Sequence, residues 1–303
     1  MSIITILLPV YNGEKTLKAT LESLLSQTYK DFEIIIGIDG TKDKSKAIAL
    51  AFNDPRIRII EHPQNLGLAN NLNALIKCAH QSTKYFAMAE QDDIYVSERL
   101  EWQVEIMEAH SDVGLVSGIS EFQSDSGNVL FPGILVYGKQ FPSGLELFKH
   151  LYIHQLKVVN TCMLWRKSVH QKNKLTFNNT YGNFNVDWDF VLRFSLIRKI
   201  HGVPKVLVKM NRHKNNESVT KNRKQQHLAS RRLLKDFRKE FPNLLSKNTY
   251  HKAIKNHCKI ELGHYKKPEL FFKSIYYTIV FRDLYFLRYF MFAFKKALKA
   301  KTH

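Results

Sequence analysis

The chain has 303 residues, 44% apolar and 24% charged, which is ordinary for a globular protein and long enough to bury a full core. Its formal net charge of +19 is unevenly placed: residues 1–220 hold 25 Lys/Arg against 22 Asp/Glu, and residues 221–303 hold 21 against 5. Three widely separated cysteines, Cys78, Cys162 and Cys258, exclude a disulfide framework or a Cys-rich zinc cluster and suit a reducing compartment.

The first element predicted is a buried strand at 3–8 (IITILL), short, β-branched and apolar, so the N-terminus reads as structure and not as a signal peptide. Pro9 to Gly13 turns the chain, and Leu17, Leu21, Leu24 and Leu25 then recur at helical spacing. A second buried strand, 32–38 (FEIIIGI), runs into Asp39-Gly40. Residues 44–52 form a helix, 56–60 (RIRII) a third strand, and 67–79 a helix with Leu68, Leu72, Leu75 and Ile76 on one stripe. The fourth strand, 84–89, stops at Glu90-Gln91-Asp92-Asp93. Ser97 is placed to cap a helix carrying Leu100, Val104 and Met107, and 113–118 (VGLVSG) closes the series. Residues 120–160, rich in Gly, Pro and Phe, give no assignment. A strand is expected within 161–165, a helix from about Asp187, a strand at 205–210, and helices from about 223.

Strands alternating with helices predict an α/β protein with a mostly parallel sheet covered on both faces. Such sheets bind ligands beyond the carboxyl ends of their strands. Tyr11, Asp39 and the Glu90–Asp93 cluster all fall at such ends, so three turns converge on one crevice.

Each acid there also has an ordinary structural use. Glu90, Asp92 and Asp93 offer the oxygen donors that a Mg²⁺ bound with a phosphate needs, and they equally suit the start of a helix. Asp39 precedes Gly40 in a strong turn dipeptide, yet also suits hydrogen bonding to a base or ribose. Asp187 opens a helix, where an acid is favourable; facing a crevice it would serve as a general base. His213, in a polar loop after the last strand, is either solvated or within reach of a phosphate or metal.

Taken together, these segments resemble the family 2 glycosyltransferases, which have the nucleotide-sugar-binding GT-A fold. The resemblance runs through LLPVYNGEKTLKATLESLLSQTYKDFEIIIGIDGTKD, NLGLANNLNALI, YFAMAEQDDIYVSERLEWQ, NTCMLWRKSV, VDWDFVLRF and VLVKMNRHKNNES, in family order over residues 3–220. It implies an inverting, metal-dependent hexosyltransferase. The donor would be a nucleotide diphosphate sugar, UDP-linked, and the acceptor a hydroxyl of a saccharide or lipid-linked saccharide in bacterial surface polysaccharide synthesis. Pro9, Val10, Tyr11, Glu14, Asp39, Asn73, Gln91 and Asp92 would meet the donor, with Asp39 on the base. Asp92 would hold Mg²⁺ or Mn²⁺ on the diphosphate, with Glu90 and His213 as further metal candidates, and Asp187 would be the catalytic base. The chain departs from the family at Ile38 and Val186, where acids are usual, at Lys42, where a small residue is usual, and at Glu90, where Asp is usual.

Residues 1–220 are therefore expected to form the catalytic domain and 221–303 a helical, basic, aromatic C-terminal region. Residues 265–294 hold twelve Phe or Tyr and no apolar run long enough to span a bilayer. Two readings stay open for them: an interfacial helix on an anionic membrane, or a helix packed on the core with its aromatics buried. The first places the protein in the cytoplasm, peripheral on the inner face of the cell membrane. Two other functions compete: an inactive relative serving as adaptor, prompted by Glu90 and Val186, and a nucleic-acid-binding protein, prompted by the basic tail. No nucleic-acid module is recognisable and the positive charge lies apart from the acidic crevice, so no nucleic acid partner is expected.

Overall fold

The structure, a computed structural model, describes residues 3–124, 127–131, 135–136, 139–155, 158–211 and 222–299. Its chain divides into two compact units, Met1–Leu151 with Leu156–Val219, and Tyr152–Gln155 with Thr220–His303.

The first unit is built on strands that the apolar runs dictate. β1 (Ile4–Val10) and β2 (Phe32–Asp39) are buried along their whole length, as strands covered on both faces must be. β3 (Ile57–His62) and β4 (Tyr85–Met88) complete a parallel set, and the helices between them are α1 (Leu17–Leu25), α2 (Ser45–Ala51) and α3 (Leu68–Cys78). After β4 come β5 (Asp93–Tyr95), α4 (Arg99–Ala109), β6 (Val113–Gln123), β7 (Val129–Phe131), and a two-stranded ribbon of β8 (Leu135–Val136) and β9 (Lys139–Gln140). Then follow α5 (Gly144–His154), a 3₁₀ turn (Asn160–Cys162), β10 (Leu164–Arg166), α6 (Lys167–Lys172), α7 (Val186–Ser195) and β11 (Lys199–Asn211).

The main sheet has nine strands, ordered β3-β2-β1-β4-β10-β6-β11-β5, with β7 added on β6. β1–β4, β6 and β11 run one way, and β5, β7 and β10 run against them, so the sheet is mostly parallel. Val10 pairs with Ile38 and Leu7 with Met88, so β1, β2 and β4 end side by side at one rim. Ile6, Leu8, Ile34, Ile36 and Ala87 pack with Leu17, Leu21 and Leu24 of α1 and Leu100 and Met107 of α4 in one fully buried cluster.

Several expectations are corrected. Ser97 does not cap α4, which begins at Arg99 after Glu98; the Ser97 hydroxyl donates to the Glu98 carboxylate instead, at 2.7 Å. The strand expected at 161–165 is a 3₁₀ turn followed by β10. Residues 120–160, unassigned from sequence, supply the end of β6, β7, the ribbon and α5. His213 lies outside the described residues.

The second unit comprises α8 (Arg223–Glu240), α9 (Lys247–Leu262), α10 (Lys267–Phe281) and α11 (Tyr285–Lys299). Cys258, Leu262, Leu270, Tyr277 and Phe286 form its core. Arg231 donates to Glu261, which also accepts from the Tyr265 and Tyr277 hydroxyls, satisfying a charge that burial would otherwise penalise. Beside this network the His227 ring bonds His264 at 2.8 Å and lies against His257, with ring centroids 5.1 Å apart. Burial holds His257 down to about 4; the charges of Arg231 and His227 act the same way, and Glu261 opposes them.

That depression has a sign. His257 is neutral in the fold, and it charges more readily unfolded, where its pKa is about 6.5. Its contribution to stability is complete above pH 6.5 and is lost as pH falls toward 4. His170, buried beside Phe86 and Phe190, is likewise held at about 4 by burial. Between pH 7.5 and pH 5 each is expected to cost about 2 kcal/mol. Thermal unfolding followed by circular dichroism should show the midpoint falling by several degrees, and His257→Gln should flatten that slope. A midpoint independent of pH over this interval would contradict the assignment.

Candidate active site

The rim where β1, β2 and β4 end is tied together by side chains from all three turns. Gln91, after β4, clasps the backbone of Tyr11, after β1: Tyr11 N–H donates to Gln91 Oε1 at 2.8 Å, and Gln91 Nε2 donates to the Tyr11 carbonyl at 2.9 Å. The Tyr11 ring stays exposed. Pro9 and Val10 are buried in β1, and the Val10 side chain belongs to the core, so only its backbone is at the rim. On the β2 side Asp43 accepts from Thr41, Ser45 and the Glu14 N–H, which hold its carboxyl at about 2 despite the opposing effect of partial burial. Glu14 itself accepts from the Lys44 N–H at 3.2 Å, on the exposed side of this turn.

Asp39 is buried at the end of β2. Its two oxygens accept from the backbone N–H groups of Leu66 (2.7 Å) and Gly67 (3.0 Å), fixing the loop that starts α3. Gly40 makes this possible: it has φ +62°, and a Cβ there would stand 2.5 Å from the Asn65 nitrogen. Any base contact by Asp39 must use the lone pairs these bonds leave. Asn73, expected at the donor, has both ends of its amide occupied elsewhere: Nδ2 donates to the Phe177 carbonyl at 2.8 Å, and Oδ1 accepts from the Phe177 N–H at 3.0 Å. It staples α3 to the 173–180 segment.

Beyond β4 the ligand atoms of Glu90, Asp92 and Asp93 lie within 4.8 Å of one another, the one such group among the described residues. Glu90 is pushed well above the usual carboxylate range by burial and by the negative charges of Asp93, Asp92 and Asp187, in that order. Asp187, in the first turn of α7, is one of the charges acting on Glu90, though it is not among the three acids whose ligand atoms lie within 4.8 Å of one another; burial raises it too, although its Oδ1 accepts from the Trp188 N–H at 2.8 Å. Asp93 is pushed up to about 8 by burial and by Asp92, with Thr161 and Arg99 pulling the other way.

Sequence reasoning missed the supports beneath these acids. The 3₁₀ turn supplies two side chains: Asn160 donates to Glu90 Oε1 at 2.7 Å, and Thr161 bonds the Tyr95 hydroxyl at 2.6 Å and helps hold down the pKa of Asp93. The Glu90 N–H donates to that Tyr95 hydroxyl at 2.7 Å. Arg99 is fully buried, donating to the Met88 carbonyl at 2.7 Å and to Gln103, with its guanidinium over the Tyr95 ring. Asn160 and Thr161 open the NTCMLWRKSV segment of the resemblance, but nothing local in the sequence gives them a role, since their partners lie some 70 positions away.

The acids fit a hard divalent cation. One Asp93 oxygen is buried with no hydrogen-bond partner, and the donor set is all oxygen, the chemistry that Mg²⁺ and Mn²⁺ prefer. Such crowding of carboxylates is unfavourable without a positive charge. Because Asn160 fixes Glu90, Asn160→Ala is expected to weaken Mn²⁺ binding about 10- to 100-fold. Manganese titration followed by electron paramagnetic resonance, without any donor, measures this, and Asn160→Asp should bind differently from Asn160→Ala.

Acids gathered beyond the carboxyl ends of parallel strands suit a divalent cation and the phosphates it accompanies. The sequence profile of glycosyl transferase family 2 matches residues 5–173, and the chain belongs to that family. An uncharacterised glycosyltransferase of Haemophilus influenzae is 27% identical over 291 residues, 91% of this chain and 85% of that protein. The Escherichia coli protein WfgD, named as a UDP-Glc:α-D-GlcNAc-diphosphoundecaprenol β-1,3-glucosyltransferase, is 29% identical over 140 residues, 45% of this chain and 54% of its own length. Among solved structures, S. aureus TarS has the same fold (TM-score 0.64, 15% identity, 86% of this chain and 72% of that one) and has also been solved with UDP-GlcNAc. So has the mannosyltransferase PcManGT of Pyrobaculum calidifontis, in complex with GDP-Man and Mn²⁺ (TM-score 0.58, 14% identity, 86% of this chain and 74% of that one). The fold is thus GT-A.

Proposed function

We propose that this protein is an inverting hexosyltransferase that moves a sugar from a nucleotide diphosphate sugar, UDP-linked, to a hydroxyl of a saccharide or lipid-linked saccharide in bacterial surface polysaccharide synthesis. The observation that carries the reading is the gathering of Glu90, Asp92 and Asp93, their ligand atoms within 4.8 Å of one another, at the rim where β1, β2 and β4 end, with the charge of Asp187 acting on Glu90. WfgD by its name uses UDP-Glc, TarS has been solved with UDP-GlcNAc and PcManGT with GDP-Man, which supports the donor class. WfgD, by its name, uses a lipid-linked acceptor.

In this reading Tyr11, held by Gln91, presents an exposed ring on which a base can stack, and Asp39 stands one strand away to accept a hydrogen bond from it. Asp92 and Asp93, with Glu90 held by Asn160, would hold Mg²⁺ or Mn²⁺; when bound, that ion offsets charge on the diphosphate. Asp187 takes the proton from the acceptor hydroxyl as its oxygen bonds to the anomeric carbon, and the bond from that carbon to the diphosphate breaks. A carboxylate with a raised pKa is a stronger base, so its burial helps this step. One displacement inverts the anomeric centre, so an α-linked donor gives a β-linked product. The direct test is a thermal-shift screen of nucleotide sugars with and without Mn²⁺, followed by analysis of the product's anomeric linkage. A chain that no nucleotide sugar stabilises, or a product with retained configuration, would overturn the reading.

A further inference from the structure

The second unit leaves a large apolar surface uncovered. α10 turns Leu270, Ser274 and Tyr277 inward, and on its other side exposes Phe272 (69%), Tyr276 (58%) and Ile279 (71%), spaced as one helical stripe. α11 likewise buries Phe286 and exposes Met291 and Phe292 (67%). Aromatic and aliphatic side chains left this open over two successive helices mark a binding surface, since single exposed apolar residues are common but stripes are not.

Charge says what covers it. From Lys266 to Lys299 there are eight Lys/Arg and two Asp/Glu. One of the two acids, Asp283, is already paired with Lys255 at 2.8 Å and Lys259 at 3.5 Å. Lys266, Arg282, Arg288 and Lys295 are exposed around the stripe. A second copy of the chain would bring this cationic surround against itself. Nucleic acid would match the cations but not the aliphatic side chains. An anionic bilayer matches both, with acyl chains for the stripe and phosphates for its rim. No helix among the described residues is long and apolar enough to cross a membrane, so the contact is along the surface.

We infer that the α10–α11 face docks on an anionic bilayer, seating Phe272, Ile279 and Phe292 at the boundary between headgroups and acyl chains. This rests on the proposed transfer only for its purpose, which is to meet a lipid-linked acceptor; docking itself needs no donor. The test is flotation of the full chain, without nucleotide sugar, on vesicles of phosphatidylethanolamine with phosphatidylglycerol and on vesicles of phosphatidylcholine. Binding to the anionic vesicles is expected to be at least tenfold tighter and to weaken at high salt. The triple variant Phe272→Ser, Ile279→Ser, Phe292→Ser should keep the wild-type far-UV spectrum and lose binding at least tenfold. If that variant is misfolded, Arg288→Glu with Lys295→Glu supplies the same test through the cations. Equal binding to both vesicle types, no binding to either, or dimerisation through this face abolished by the triple variant would each overturn the proposal.

Discussion

Replacing Asp187 with asparagine is expected to lower transfer by about 10²–10⁴-fold, the range that a positioned base contributes, while nucleotide-sugar binding persists. Asparagine matches the carboxylate in size and can still accept the Trp188 N–H bond at the start of α7, so the helix is kept. What is lost is the ability to take a proton. The same change removes one of the negative charges that raise Glu90, which should make the cluster easier to ionise. Cation binding should therefore be unchanged or slightly improved in the variant while turnover collapses. Measuring donor affinity by calorimetry alongside turnover separates the two effects. Near-normal transfer by Asp187→Asn would show that another group is the base.

The parts of this fold that were legible are those whose signal is local. The runs at 3–8 and 32–38 are too apolar and too short to be anything but covered strands, and β1 and β2 extend them only to Val10 and Asp39. What was not legible depends on distant partners. β5 and β10 have three residues each, and their antiparallel pairing with β11 and with β4 and β6 is set by the sheet, not by their own periodicity. The same division runs through the site. Asp92 and Asp187 stand out by residue type and resemblance, but Asn160 and Thr161 are ordinary polar residues until a 3₁₀ turn brings them under Glu90 and Asp93. The bonds of Asn73 to Phe177, 104 positions away, were hidden for the same reason. In the aromatic tail Tyr277 and Phe286 lie in the core of the second unit while Phe272 and Phe292 are exposed, a division that the sequence left open.

Asp92→Asn should act in two opposite directions, which distinguishes its effect from simple damage. Asp92 raises its neighbour Asp93 by repulsion, and is itself raised by burial. Without a cation, removing this charge relieves the cluster, so the variant should melt at or above the wild-type temperature. With Mn²⁺ the order should reverse. A ligand present at 100 times its dissociation constant stabilises by about 2.7 kcal/mol, and a variant that has lost a carboxylate ligand forfeits most of that. Turnover should fall about 100-fold or more, because charge on the departing diphosphate is left less balanced. Glu90 does not replace the lost ligand, because Asn160 fixes it in its own place in the cluster. The measurement is a pair of melting curves, with and without Mn²⁺, on wild type and variant. If Mn²⁺ raised both midpoints equally, Asp92 would not be a ligand, and the metal would have to rest on Glu90 and Asp93 without it or bind elsewhere.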